Sequence, residues 1–168
     1  MRATYGIAPD EVLLLFVGSG FKRKGLKYVI EALSLINKSQ KTKLLVVGKG
    51  TIREHQRLAR KNGVLDKLIF AGVCKHIQEI YAGGDIFVFP SEYDAFGTAC
   101  LEAMASGLPV IASKSSGVSE IIAQGQDGFV IHHPIDAREI AKYMNVLFIK
   151  EKREQMGCAA RQKAEMYS

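Results

Sequence analysis

Residues 85–113 read "DIFVFPSEYDAFGTACLEAMASGLPVIAS". The runs "DIFVF" (85–89) and "PVIA" (109–112) are short, rich in β-branched and aromatic residues, and apolar at consecutive positions. A strand with water on one face would alternate; an unbroken apolar run belongs to a parallel sheet covered on both sides. Between them "TACLEAMASG" repeats apolar residues at helical spacing and stops at Gly107, a residue suited to a helix C-terminus. Strand, helix and strand in that order make a βαβ unit, and a parallel pair needs such a crossover.

The same grammar extends outward. Further strands are expected at 12–18, 43–48, 67–71 and 128–131. Helices are expected in "LKYVIEALSLINKS", "TIREHQRLARKNG", "IQEIYAGG" and "VSEIIAQG", and two more follow Asp136 with no further strand. The fold class is therefore α/β: a doubly wound, Rossmann-like domain of about six parallel strands, with helices on both faces and C-terminal helices. With the usual order 3-2-1-4-5-6, the loops after strands one and four face each other where the order reverses, the place where such sheets take ligands.

The 168 residues suffice for one domain and are too few for two ordinary ones, so 1–168 is read as one unit. Apolar residues make up 48% and charged residues 24%, the profile of a globular protein, and no apolar run reaches the ~20 residues of a membrane-spanning helix. The start of the chain lacks a signal-peptide pattern. Three separated cysteines, Cys74, Cys100 and Cys158, fit free thiols in a reducing, cytoplasmic setting. The net charge of +6 is dispersed apart from "FKRKGLK" and the mixed "KEKRE", with no aromatic-interleaved basic stripe, so nucleic acid is not the expected partner. No metal is expected: there is no Asp-x-Asp, and His132-His133 before Pro134 reads as a surface turn.

The loop after the first strand, "GSGFKRKG", carries Gly18, Ser19 and Gly20 ahead of Arg23 and Lys24. Glycines let backbone approach an anion, and the cations supply charge-assisted hydrogen bonds to phosphate. Its spacing is neither the dinucleotide fingerprint nor a Walker A loop, because Leu26 stands where the latter needs lysine. A plain glycine turn with solvated lysines is the competing reading. The loop after the fourth strand sets Asp94 before Ala95-Phe96-Gly97-Thr98, whose backbone N–H groups open a helix, with Glu102 just over one turn in. Carboxylates accept from vicinal hydroxyls of sugars and ribose. A helix-capping Asp94 and an exposed Glu102 are the alternative.

Taken together, "FVGSGFKRKGLKYVIEAL", "LLVVGKG", "IFAGVCKHIQEIYAGGDIFVFPSEYDAFGTACLEAMASGLPVIAS" and "GVSEIIAQGQDGFVI" resemble the C-terminal domain of family-4 (group 1) retaining glycosyltransferases of the GT-B fold, within it the lipopolysaccharide core glucosyltransferase I branch. The resemblance implies that this chain is the nucleotide-sugar-binding half of a two-domain enzyme. The family's paired acids fall on Asp94 and Glu102, and its basic pair on Arg23 and Lys24. By that resemblance Asp94 meets hydroxyls of the donor sugar, and the amides around Ala95, Phe96, Gly97 and Thr98 meet sugar and phosphate. Glu102 holds the ribose, while Arg23 and Lys24 neutralise the leaving diphosphate. Val73 and Cys74 lie along the base, and Gly48 sits near the nucleotide. The donor is expected to be a UDP-sugar, with GDP second, and no cofactor is implied.

Two departures matter. Asp94 stands where the family usually has Glu, which draws the carboxylate back by about 1.5 Å. The N-terminal acceptor domain is not in this sequence, so the chain is expected to bind donor and transfer little by itself. The other implied partners are a glycan or lipid-linked acceptor and, for the longer protein, a peripheral contact with the inner membrane. Competing functional classes are a noncatalytic nucleotide-sugar-binding subunit and a nucleotide-sugar epimerase, for which Asp94, Glu102 and Glu120 are the only available acids and bases.

Overall fold

A computed structural model describes residues 1–133 and 135–167. Six strands form one sheet: β1 (Val12–Val17), β2 (Thr42–Val47), β3 (Leu68–Gly72), β4 (Ile86–Phe89), β5 (Val110–Ser113) and β6 (Gly128–Ile131). Their order is β3-β2-β1-β4-β5-β6, and every pair is parallel. Each strand lies within one residue of its expected bounds. Among the described residues the helices are α1 (Leu26–Leu35), α2 (Ile52–Lys61), α3 (Ile77–Gly83), α4 (Thr98–Ala105), α5 (Ala137–Phe148) and α6 (Lys150–Glu165), with three short 3₁₀ turns.

Alternation along β1 divides the interior. Leu14 and Phe16 join α1, α2 and α5 in one apolar cluster, while Leu13 and Leu15 join α3, α4 and the end of α6 in the other. Both faces of β1 are thus buried, with only Val17 at its end half-buried, which is why its sequence shows no polar alternation.

One expected helix is corrected. "VSEIIAQG" forms a 3₁₀ turn over Gly117–Glu120 and then bends, with the Ala123 N–H donating to Asp127 Oδ1 at 2.8 Å and Gly125 at φ 76°. Its few apolar residues cannot repay helix nucleation, and the bend aims the chain into β6.

The amino rim of the sheet is a structural joint. Asp85 accepts from the Leu13 N–H at 2.7 Å and from Arg2 at 3.1 Å, and Arg153 approaches to 3.9 Å. Arg2 also donates to the carbonyls of Gly83, Ala8 and Glu11. These contacts tie the first residues, β1, β4 and α6 together at the end of the sheet opposite the crevice.

Candidate functional site

At the carboxyl rim the loops after β1 and β4 meet, as the strand order requires. Phe21 anchors the first loop: it is buried, edge-on to Phe16 at 6.1 Å and to His55 at 5.8 Å. Burying such a ring is worth about 1.5–3 kcal/mol, enough to fix the loop while Lys22 and Arg23 stay in solvent. Gly25 then touches the second loop so closely that a Cβ would stand 1.9 Å from the Pro90 carbonyl oxygen. The Glu92 N–H donates to the Arg23 carbonyl at 2.9 Å, and the Arg23 guanidinium donates to the Tyr93 carbonyl at 3.3 Å.

The central contact is an ion pair between Lys24 Nζ and Asp94 Oδ2, with both side chains largely buried. The ammonium also lies 5.0 Å from the centre of the Phe89 ring. The other oxygen, Asp94 Oδ1, accepts from the N–H groups of Phe96 at 3.1 Å and Gly97 at 2.7 Å. Burial pushes the Asp94 carboxyl up, but hydrogen bonds from Lys24, Gly97 and Phe96 outweigh it, and the net shift is down.

The expected cluster of free amides is therefore partly engaged: Phe96 and Gly97 donate to Asp94. Thr98 and Ala99, the first two residues after the Gly97 cap, have N–H groups without an acceptor among the described residues, as at an ordinary helix start. Ser116, after β5, is the one buried side-chain oxygen without a hydrogen-bond partner among the described residues. Gly97 lies directly against it, since a Cβ there would come 2.7 Å from Ser116 Oγ. The β4 loop is further braced by Ser113 and Ser115, whose hydroxyls both donate to the Ser91 carbonyl.

Glu102 lies one turn into α4, exposed to solvent, and its Oε2 accepts from the Tyr81 hydroxyl at 2.8 Å. The carboxylates of Asp94 and Glu102 thus each have part of their acceptor capacity satisfied within the protein.

Gly18, Ser19 and Gly20 lie at the end of β1. The Gly18 and Gly20 N–H groups donate to the Val47 and Lys49 carbonyls at 2.9 and 2.8 Å, and Ser19 Oγ accepts from the Lys49 N–H at 3.4 Å. Gly48, at φ 128°, is required by packing, because a Cβ would stand 2.1 Å from the Gly18 carbonyl oxygen. Val73 and Cys74 follow β3, two strands from β1, and Val73 is 63% exposed. Ala95 and Phe96 border a hollow of about 400 Å³ with Val118, Glu120 and Tyr167; a second, of about 460 Å³, lies between Arg23, Thr51 and Glu92. Among the described residues no three His, Cys, Asp or Glu side chains gather as a cation site. His132 pairs through Nδ1 with Glu139 at 2.7 Å, and Pro134 lies outside the described residues.

Tyr81, Ser116 and the Ser91–Ser113–Ser115 brace were not singled out from sequence. Tyr81 reads there as one more apolar residue of a helix, and the serines act only through segments far apart in the chain.

The family model described as "Glycosyl transferases group 1" matches residues 1–163. The chain belongs to this family. Group 1 glycosyl transferases similar to it include the lipopolysaccharide glucosyltransferase WaaG of Escherichia coli, 36% identical over 83% of this chain and 38% of that protein. A crystal structure of WaaG superposes with a TM-score of 0.92 at 32% identity, covering 98% of this chain and 45% of that one. The crystallised C-terminal domain of a group 1 family protein (LpcC) from Francisella tularensis is also similar, with a TM-score of 0.85 at 26% identity over 98% of this chain and 89% of that chain. This group 1 chain is thus half of a GT-B fold, and it spans about a third of the length of the curated relatives it matches.

Proposed function

We propose that this chain is the donor-binding half of a retaining glycosyltransferase that transfers a hexose from a nucleoside-diphosphate sugar, UDP-linked in the first instance. The observation carrying this reading is the Lys24–Asp94 pair, set beside Arg23 and the open start of α4 where β1 and β4 diverge. A diphosphate at this rim meets Arg23, Lys24 and the Thr98 and Ala99 N–H groups. A sugar reaching Asp94 and a ribose reaching Glu102 then occupy the two carboxylates.

In the reaction the bond between the sugar's anomeric carbon and the diphosphate oxygen breaks as an acceptor hydroxyl attacks from the same face. The hydroxyl proton passes to the departing phosphate oxygen. Arg23, Lys24 and the α4 N-terminus stabilise the negative charge that develops there, the kind of preorganised electrostatics that commonly contributes most to catalysis. No metal or cofactor is given a role. The acceptor, a glycan or lipopolysaccharide core, is held by an N-terminal domain, with a peripheral membrane contact in the longer protein. This stretch of chain by itself binds donor and transfers little.

Calorimetric titration with UDP, UDP-glucose, GDP-mannose and NAD tests the reading. One nucleotide or nucleotide-sugar is expected to bind saturably to the wild type and to lose at least about tenfold in affinity in Arg23→Ala/Lys24→Ala, since charge-assisted hydrogen bonds are each worth about 1.5–3 kcal/mol. Equal binding of NAD and the sugar nucleotides, or no effect of the double substitution, overturns it. Joining an N-terminal half is expected to restore transfer. Its failure to do so favours a noncatalytic binding subunit.

A further inference from the structure

The geometry points to Tyr81 as a positioning residue that orients the Glu102 carboxylate and so sets how strongly the site recognises ribose hydroxyls. The inference rests on the nucleotide-binding reading above and adds to it a residue that the family motif does not include.

Helix α3 follows β3 and α4 follows β4, so both start at the carboxyl rim of the sheet. Tyr81 lies four residues into α3 from Ile77, and Glu102 four residues into α4 from Thr98. At 1.5 Å per residue both sit roughly 6 Å below the rim, which brings the phenol and the carboxylate level with each other. The Tyr81 side chain is buried in the cluster with Ile80 and Phe87, its ring 5.9 Å from that of Phe87. A phenylalanine would fill this space equally well. Among the described residues the hydroxyl's one hydrogen-bond partner is Glu102 Oε2 at 2.8 Å, and burial with that hydrogen bond pushes the phenol well above its usual range, so it remains a donor.

Glu102 itself is solvent-exposed, and a free glutamate on a helix surface would sample several rotamers. The Tyr81 hydrogen bond selects one of them before any ligand arrives. It engages Oε2 and leaves Oε1 for vicinal hydroxyls. A carboxylate held in this way binds a diol without first losing rotamer freedom, and the gain is confined to ligands that possess the diol.

The test is a ligand cycle on the full 168-residue chain. Binding of UDP and of 2′,3′-dideoxy-UDP is measured by calorimetry for wild type, Tyr81→Phe, Glu102→Ala and the double variant, with thermal unfolding of each. Wild type is expected to prefer UDP over the dideoxy analogue. Tyr81→Phe is expected to weaken UDP about five- to tenfold, leave the dideoxy analogue unchanged, and have no further effect once Glu102→Ala is present. A purely packing role for Tyr81 would instead weaken both ligands alike or only lower the melting temperature, and either result overturns the inference. So does an unchanged UDP preference in Tyr81→Phe, which leaves the nucleotide reading intact. A wild type that does not bind UDP overturns the UDP reading and this inference together.

Discussion

Asp94 is where the chemistry of the site is most compressed, because one carboxylate serves two loops. Oδ1 closes a turn with the Phe96 and Gly97 amides, and Oδ2 holds Lys24. On the donor-binding proposal, a diphosphate and Asp94 therefore compete for the same ammonium. Asparagine keeps an oxygen for the turn but removes the competing charge. Asp94→Asn is expected to bind UDP about three- to tenfold more tightly, a change near 1 kcal/mol, while losing the advantage of UDP-sugar over UDP. Weaker UDP binding in this variant would instead make Asp94 a support for the loop alone. Because the Asp94 carboxyl titrates below its ordinary value of 3.8, its contribution is present above that value and is lost only as pH falls through the lowered one. Wild-type UDP affinity, measured in the same titrations, is accordingly expected to show no Asp94-linked step between about pH 5 and 8.

The elements show which parts of this arrangement a sequence displays. Strands buried on both faces announce themselves as apolar runs, so "VLLLFV" and "VIAS" are found by inspection, and the strand order then places the basic and acidic loops together. Charge and spacing single out Arg23, Lys24, Asp94 and Glu102, and the structure pairs Lys24 with Asp94 and sets Arg23 against the Tyr93 carbonyl. What stayed hidden comes from contacts between elements: the engagement of the Phe96 and Gly97 amides, the orphaned Ser116 hydroxyl, and the tyrosine beneath Glu102. "VSEIIAQG" misled because its helical spacing is real, yet the segment is too short to win against the turn closed by Asp127. The junction of α1 with the β4 loop is equally invisible until packed. Gly25 caps α1 at φ 78° and lies against Pro90, so Gly25→Ala meets both a left-handed backbone and a clash with a carbonyl. We expect a loss of about 3 kcal/mol or more, seen as a fall of roughly 6–12 °C in melting temperature, with UDP affinity reduced as the loops part.

Across the whole molecule, the two rims of the sheet divide the work. The Arg2–Asp85–Arg153 joint at the amino rim contributes cohesion, and the loops at the carboxyl rim hold the proposed donor site. Asp85→Ala strands the Leu13 N–H and removes the charge partner of two guanidinium groups, which keep their backbone carbonyl acceptors. It is expected to lower stability by about 2 kcal/mol in denaturant titrations and to leave UDP affinity unchanged, provided the measurement is made where the protein is folded. A parallel loss of affinity would mean that the sheet transmits strain from one rim to the other.

The paired state of Lys24 also bears on the company this protein keeps. A chain of net charge +6 draws small anions toward its surface, and a bare lysine beside an open helix start would be clogged by any phosphate or sulfate in its surroundings. With Asp94 already seated on that lysine, a lone oxyanion must displace a tethered rival and brings nothing to satisfy the carboxylate it evicts. The proposed sugar-diphosphate donor brings both, phosphate for the lysine and hydroxyls for the acid. On the donor-binding proposal, the resting pair thereby favours a sugar diphosphate over a lone oxyanion.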